Sequence, residues 1–197
     1  IAPSIAVGLG QKSRAYFYSQ HIRQNNVPDG GIPTVGLKGF YNANALLLNA
    51  PKVDSENFYG SVHDFEKVEA DMATAKFEFD LSDTTVLRNI TRYGQSSMKR
   101  VVTGINGVTA AGAQDTWTVA RSRQGLDQSN EIIANQTSVN SSFDTVGLKH
   151  SLSAGVELLM EKQNTNTLAV PTGVVVPAAN LYNPNANVSL PIPVKNG

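Results

Sequence analysis

The sequence contains no cysteine, a single tryptophan and three histidines in 197 residues. Without thiols there is no disulfide framework and no cysteine zinc site. Charge is also scarce, at 16% of residues against about 25% in ordinary soluble domains. The 16 cations and 16 anions cancel, which removes the long-range field on which nucleic-acid binding depends and argues against that partner class. No apolar run approaches the roughly 18 residues of a spanning helix, and the opening Ile1-Ala2-Pro3-Ser4 is no signal peptide. Helical membrane insertion is thereby excluded. A membrane β-barrel is not, because its strands alternate and leave only a weak hydropathy signal over about ten residues each.

Neutral polar side chains carry the polarity instead: 18 Asn, 16 Ser and 14 Thr. They are interleaved with apolar residues at period two. In 73–80, Ala73, Ala75, Phe77 and Phe79 share one face, and Thr74, Lys76, Glu78 and Asp80 the other. A turn near Asp83 leads into Thr85-Val86-Leu87-Arg88-Asn89-Ile90-Thr91-Arg92-Tyr93, and a hairpin centred there sets Glu78 opposite Arg88. A second hairpin places Ile133, Asn135, Thr137, Val139 and Phe143 on one face and returns through Leu148, Leu152, Ala154, Val156 and Leu158. A two-residue loop at Asp144-Thr145-Val146-Gly147 is expected to set Phe143 against Leu148 and Val139 against Leu152. A third opens the chain, with Ile5, Val7 and Leu9 answered by Ala15 and Phe17.

Hairpins are thus expected at about 2–23, 72–102 and 117–165, with long Gly-, Pro- and Asn-rich connections at about 24–60, 103–116 and 166–197. Tight turns alternating with long loops is the asymmetry of an outer-membrane barrel. The segment Phe58–Asp71 departs from it, with Val62, Phe65, Val68 and Met72 at helical spacing, and 42–48 suits a helical turn or two. The alternation Val68, Ala70, Met72 is also opposite in phase to Ala73 onward. Either a bulge reverses the faces, or this segment rises beyond the membrane where the pattern is not enforced; the second is expected.

Several runs carry a family resemblance: Asp64-Phe65-Glu66-Lys67-Val68-Glu69-Ala70-Asp71-Met72-Ala73-Thr74-Ala75-Lys76-Phe77-Glu78, Leu87-Arg88-Asn89-Ile90-Thr91-Arg92-Tyr93-Gly94, His150-Ser151-Leu152-Ser153-Ala154-Gly155-Val156-Glu157 and Leu181-Tyr182-Asn183-Pro184. With Arg14-Ala15-Tyr16-Phe17, Asp29-Gly30-Gly31-Ile32-Pro33 and Asn135-Gln136-Thr137, in this order along essentially the whole chain, the sequence resembles TonB-dependent siderophore receptors of the outer membrane, catecholate group. The resemblance implies an all-β fold, an antiparallel transmembrane β-barrel of about 22 strands around a plug, of which this chain supplies about six strands and long extracellular loops. It implies active import of ferric siderophores, with TonB acting through the plug. Neither a plug nor an aromatic C-terminal residue is apparent, so 1–197 is expected to be an incomplete stretch of one barrel domain.

The resemblance places ligand contacts in the loops, at Asp29, Gly30, Gly31, Phe40, Tyr41, Trp117, Arg121, Arg123 and Tyr182. Arginine and aromatic side chains suit an anionic, ring-bearing ferric tris-catecholate. Trp117 and Tyr182 also suit an interfacial girdle, and the arginines an ion pair within the lumen or with lipopolysaccharide. Lys76, Glu78, Asp80, Arg88 and Arg92 alternate too regularly for an acid–base centre and read as an ion-pair ladder on the lumen wall. His21, His63 and His150 lack ligand spacing, so no protein-held metal is expected, nor a cofactor beyond the siderophore as cargo. No nucleophile elbow or phosphate loop is present, and no enzymatic role is expected. Lipid and lipopolysaccharide are the expected surroundings. The rival readings are a passive porin and a soluble β-sandwich binding module.

Overall fold

The computed structural model describes residues 1–40, 42 and 44–195. Its strands are β1 (Ser4–Val7), β2 (Ser13–Asn26), β3 (Phe65–Ser82), β4 (Thr85–Thr109), β5 (Thr118–Thr145), β6 (Leu148–Ala169), β7 (Ala179–Asn180) and β8 (Val194–Lys195). They form one sheet in the order β1-β2-β3-β4-β5-β6-β8, with β7 on β5. A single sheet is what a barrel segment provides, whereas a sandwich needs two. One helical turn, α1 (Ala45–Leu48), interrupts the first long loop; the Asn44 side chain caps it, accepting from Leu46 N at 3.0 Å.

The chain divides into two units. The first comprises Ile1–Gln24, Val68–Ser97 and Gln128–Asn164. Its hairpins follow the period-two pattern: Ile5 pairs with Phe17 and Val7 with Ala15, and Phe17 packs edge-on against Phe77 at 5.7 Å. None of the buried hydrophobic residues falls in this unit. Phe79, Ile133, Phe143, Leu152, Val156 and Leu158 are exposed, so among the described residues the sheet carries an apolar face with no protein layer over it. The β3 alternation runs unbroken. Asp71 lies on the Phe77 face, bonded by His21 and Arg23 of β2, and that face changes from apolar to charged there without a bulge.

The expected pairing of the second hairpin is corrected in detail. Strand β5 ends at Thr145 and β6 begins at Leu148, so Phe143 stacks on His150, with ring centroids 5.2 Å apart, rather than opposing Leu148. The register moves by two residues, which leaves every side chain on its expected face. The turn residues are Val146 (φ 51°) and Gly147 (φ 79°), the type I′ geometry matched to strand twist.

The second unit comprises Asn25–Lys67, Met98–Asp127 and Thr165–Gly197. Here β4 continues to Thr109, so the connection expected at 103–116 is much shorter. Strand β3 begins at Phe65, and the helical spacing of Phe58–Asp71 forms no helix. The loops of this unit build a core of their own, from Val35, Leu47, Val53, Tyr59, Trp117, Val119, Ala179 and Leu181.

Candidate functional site: an arginine-tied loop cluster

Trp117, just before β5, and Val119, Arg121 and Arg123 of the strand alternate onto one buried side. Trp117 and Val119 enter the apolar core, and the two arginines continue the same row with polar ends. Arg121 donates from Nε to Pro177 O at 2.8 Å and from Nη1 to Tyr59 O at 3.2 Å. Arg123 donates from Nη1 to Leu190 O at 3.1 Å and Pro191 O at 2.7 Å. Its Nη2 pairs with Asp64 Oδ1. The Asp64 carboxylate also accepts from Ser61 N at 3.2 Å and Thr103 N at 3.0 Å. This pair is almost fully withdrawn from solvent, with side-chain exposures of 4% and 0%. Such burial is sustainable because nearly every polar atom is answered; Arg123 Nε is the exception.

Tyr59, fully buried, donates its hydroxyl to Leu181 O at 2.5 Å. Burial pushes its phenol pKa above the ordinary value. The Tyr182 hydroxyl donates to Pro51 O and accepts from Gln114 Nε2, both at 3.1 Å, and its ring lies 6.5 Å from Trp117. Thus Trp117, Arg121, Arg123 and Tyr182, expected at the ligand, are brought together, but as ties between loops with their polar ends engaged. The sequence offered no period that would single out Asp64 or Tyr59, the residues that complete the cluster.

The first long loop presents the remaining candidates. Asp29 Oδ1 accepts from Gly31 N at 2.9 Å. Gly30 lies so close to β4 that a Cβ would fall 2.2 Å from Thr103 O, so only glycine fits. Phe40 is 54% exposed. Tyr41 lies outside the described residues.

The charge ladder stands in the first unit. Glu78 is its hub, at 2.9 Å from both Lys76 Nζ and Arg88 Nε and 3.3 Å from Arg14 Nε. Asp80 takes a forked pair of bonds from Arg14, both 2.6 Å. Arg14 and Tyr16 therefore belong to the ladder although the pattern on β3 and β4 did not name them; Arg92 is exposed and joins none of these pairs. Among the described residues, no three His, Asp or Glu side chains are grouped as a metal site.

No protein-family model matches the chain. The catecholate siderophore receptor Fiu of Escherichia coli K12 is 40% identical over 196 residues, 95% of this chain and 25% of the receptor. The probable TonB-dependent receptor BfrD of Bordetella pertussis is 30% identical over 165 residues, 83% of this chain and 21% of its own. In structure, the open form of the ferric-catecholate import receptor Fiu from E. coli K12 matches all of this chain and 31% of its own, with TM-score 0.89 and 38% identity. The ferric preacinetobactin receptor BauA of Acinetobacter baumannii matches 95% of this chain and 27% of its own, with TM-score 0.64 and 18% identity, a likeness of fold alone. By sequence and by fold the chain is similar to TonB-dependent siderophore receptors, and its sheet matches a stretch of the Fiu structure. It spans about a quarter of the length of the curated relatives it matches.

Proposed function

We propose that this chain is part of an outer-membrane receptor that binds ferric siderophores of the catecholate type and imports them with energy delivered through TonB, without covalent chemistry. The observation that carries this reading is the 40% identity to Fiu along 95% of the chain. The exposed apolar face of the first unit supports a setting in lipid and lipopolysaccharide, and the structured second unit supports a role as surface loops. In this reading Phe40 and the Asp29-Gly30-Gly31 turn of the same long loop meet the chelate, together with Tyr41. Trp117, Arg121, Arg123 and Tyr182 hold the loops in the binding shape from within. The cargo iron arrives wrapped by its own oxygen ligands, so the protein needs to supply surface and charge rather than coordination.

The test is uptake of a radiolabelled ferric catecholate by cells carrying only the full-length protein for that purpose. Uptake should occur, and should stop when the TonB system is deleted. Uptake that persists without TonB would establish the passive-porin alternative instead.

A further inference from the structure

Strand β2 carries Ser19, His21 and Arg23 at the spacing of two that sets side chains along one face. The His21 ring stands between two partners: its Nδ1 lies 2.7 Å from Asp71 Oδ1 on the neighbouring β3, and its Nε2 lies 3.0 Å from Ser19 Oγ. These contacts fix the direction of the bonds. A carboxylate only accepts, so Nδ1 carries the proton, Nε2 of the neutral ring presents a lone pair, and the Ser19 hydroxyl donates to it. Arg23 Nη2 donates to the other carboxylate oxygen, Asp71 Oδ2, at 2.7 Å, which leaves Oδ1 turned to the ring. Ser19 also lines an apolar groove of about 540 Å³, walled by Ile5, Phe17, Ala73, Ala75 and Tyr93, within the about 300–1,000 Å³ of ligand sites. The serine therefore stands where an apolar compartment ends and charged side chains begin.

We propose that Ser19, His21 and Asp71 form an acyl-transfer centre that cleaves carboxylic esters of apolar acyl chains, a second activity beside import, which itself needs no covalent step. A chain lying in the groove brings its ester carbonyl to the polar end, at Ser19. The Ser19 Oγ attacks the carbonyl carbon as its proton passes to His21 Nε2. The tetrahedral adduct collapses, Nε2 returns the proton to the leaving alcohol oxygen, and the acyl group stays on Ser19 as an ester. Water then attacks that ester with His21 as base, which releases the carboxylic acid and restores the hydroxyl. Asp71 touches no reacting atom; it positions the ring and stabilises the imidazolium. The His21 and Asp71 side chains are 47% and 45% exposed, so water reaches the ring for the second step. The serine sits on a strand rather than at a strand–helix elbow, and Asp71, 50 residues from His21, is brought to it by strand pairing alone. The Ser19 N–H is spent on Pro3 O at 3.0 Å and supplies no oxyanion donor. A missing donor of that kind costs about 10²–10³ in turnover, so the centre is slow and its first sign is acylation of Ser19.

The experiment treats the full-length protein, purified in detergent micelles, with an alkyl fluorophosphonate and maps the label by mass spectrometry of its peptides. Wild type should be labelled at Ser19, and it should hydrolyse p-nitrophenyl decanoate about tenfold or more faster than the acetate, because only the longer chain fills the groove. Ser19→Ala should abolish both labelling and hydrolysis. His21→Gln should lower hydrolysis by about 10²-fold or more. Asp71→Asn should lower kcat about tenfold with KM unchanged, a split that a merely loosened strand would not give. Ala75→Leu, which narrows the groove, should raise KM for the decanoate and leave the acetate unaffected. Vesicles of outer-membrane lipid form a second arm: fatty acid released by wild type and not by Ser19→Ala identifies a membrane lipid as substrate, whereas cleavage of the soluble ester alone identifies a diffusible one. Wild type left unlabelled at Ser19 overturns the proposal without recourse to any variant, and so does hydrolysis that survives Ser19→Ala.

Discussion

At the scale of single residues, the buried Asp64–Arg123 pair has the largest expected effect in the second unit. Removing either partner leaves an uncompensated charge among Ser61, Thr103 and the Leu190 and Pro191 carbonyls. Asp64→Ala or Arg123→Ala should each destabilise the loops by about 3–5 kcal/mol, read as denaturant-induced loss of Trp117 fluorescence; the double substitution should cost less than the two singles added. Tyr59→Phe should cost about 1–3 kcal/mol by orphaning Leu181 O. The same tyrosine sets a pH limit. Its phenol pKa is raised by burial, so above about pH 10 the unfolded chain releases its proton first and stability falls as pH rises. Stability measured at pH 9 and 11 should show a decline that Tyr59→Phe reduces. At the β5–β6 turn, Val146 adopts φ 51°, which a β-branched residue does at a cost; Val146→Asn should stabilise the hairpin by about 1 kcal/mol in the same assay.

At the scale of elements, the strands of the first unit were legible because one rule governs them, an apolar face against a polar face at period two. Leu152 is half-exposed on that apolar face. Leu152→Arg should cost about 2–4 kcal/mol in a bilayer folding assay if it sits at the midplane, and a near-neutral effect would remove the lipid assignment. The Glu78–Arg88 contact was legible for the same reason, whereas Arg14 joined through a neighbouring strand whose register β3 and β4 do not encode. The second unit was read less well. Val35, Val53 and Leu190 are buried in segments rich in Pro, Asn and Gly with no period, so burial there depends on which loops meet in space. Arg121 and Arg123 have the composition of a ligand-binding pair, and only their carbonyl partners reveal that they tie loops together.

At the scale of the molecule, the two units divide the physical work. One gives an uncovered apolar face with a polar ladder behind it, and the other gives loops with their own core. Under the proposed function, the ligand-facing role falls to exposed side chains of loops already held in shape. Phe40→Ala in the full-length receptor should weaken ferric-catecholate binding about tenfold, roughly 1.4 kcal/mol, without shifting stability; unchanged affinity would remove Phe40 from the contact surface.

The arginine ties also impose a chronology. Arg121 and Arg123 ride on β5, while their partners Tyr59 and Asp64 come earlier in the chain and Pro177, Leu190 and Pro191 come later. The arginine ties of the first long loop therefore cannot form until β5 is laid down, and those of the last cannot form until residues 177–191 have followed. In a time course of assembly, protease cuts within 24–60 should disappear only once β5 has joined the sheet, and cuts within 170–193 should disappear later still, so that the arginine-tied loop cluster is the last part of this segment to set.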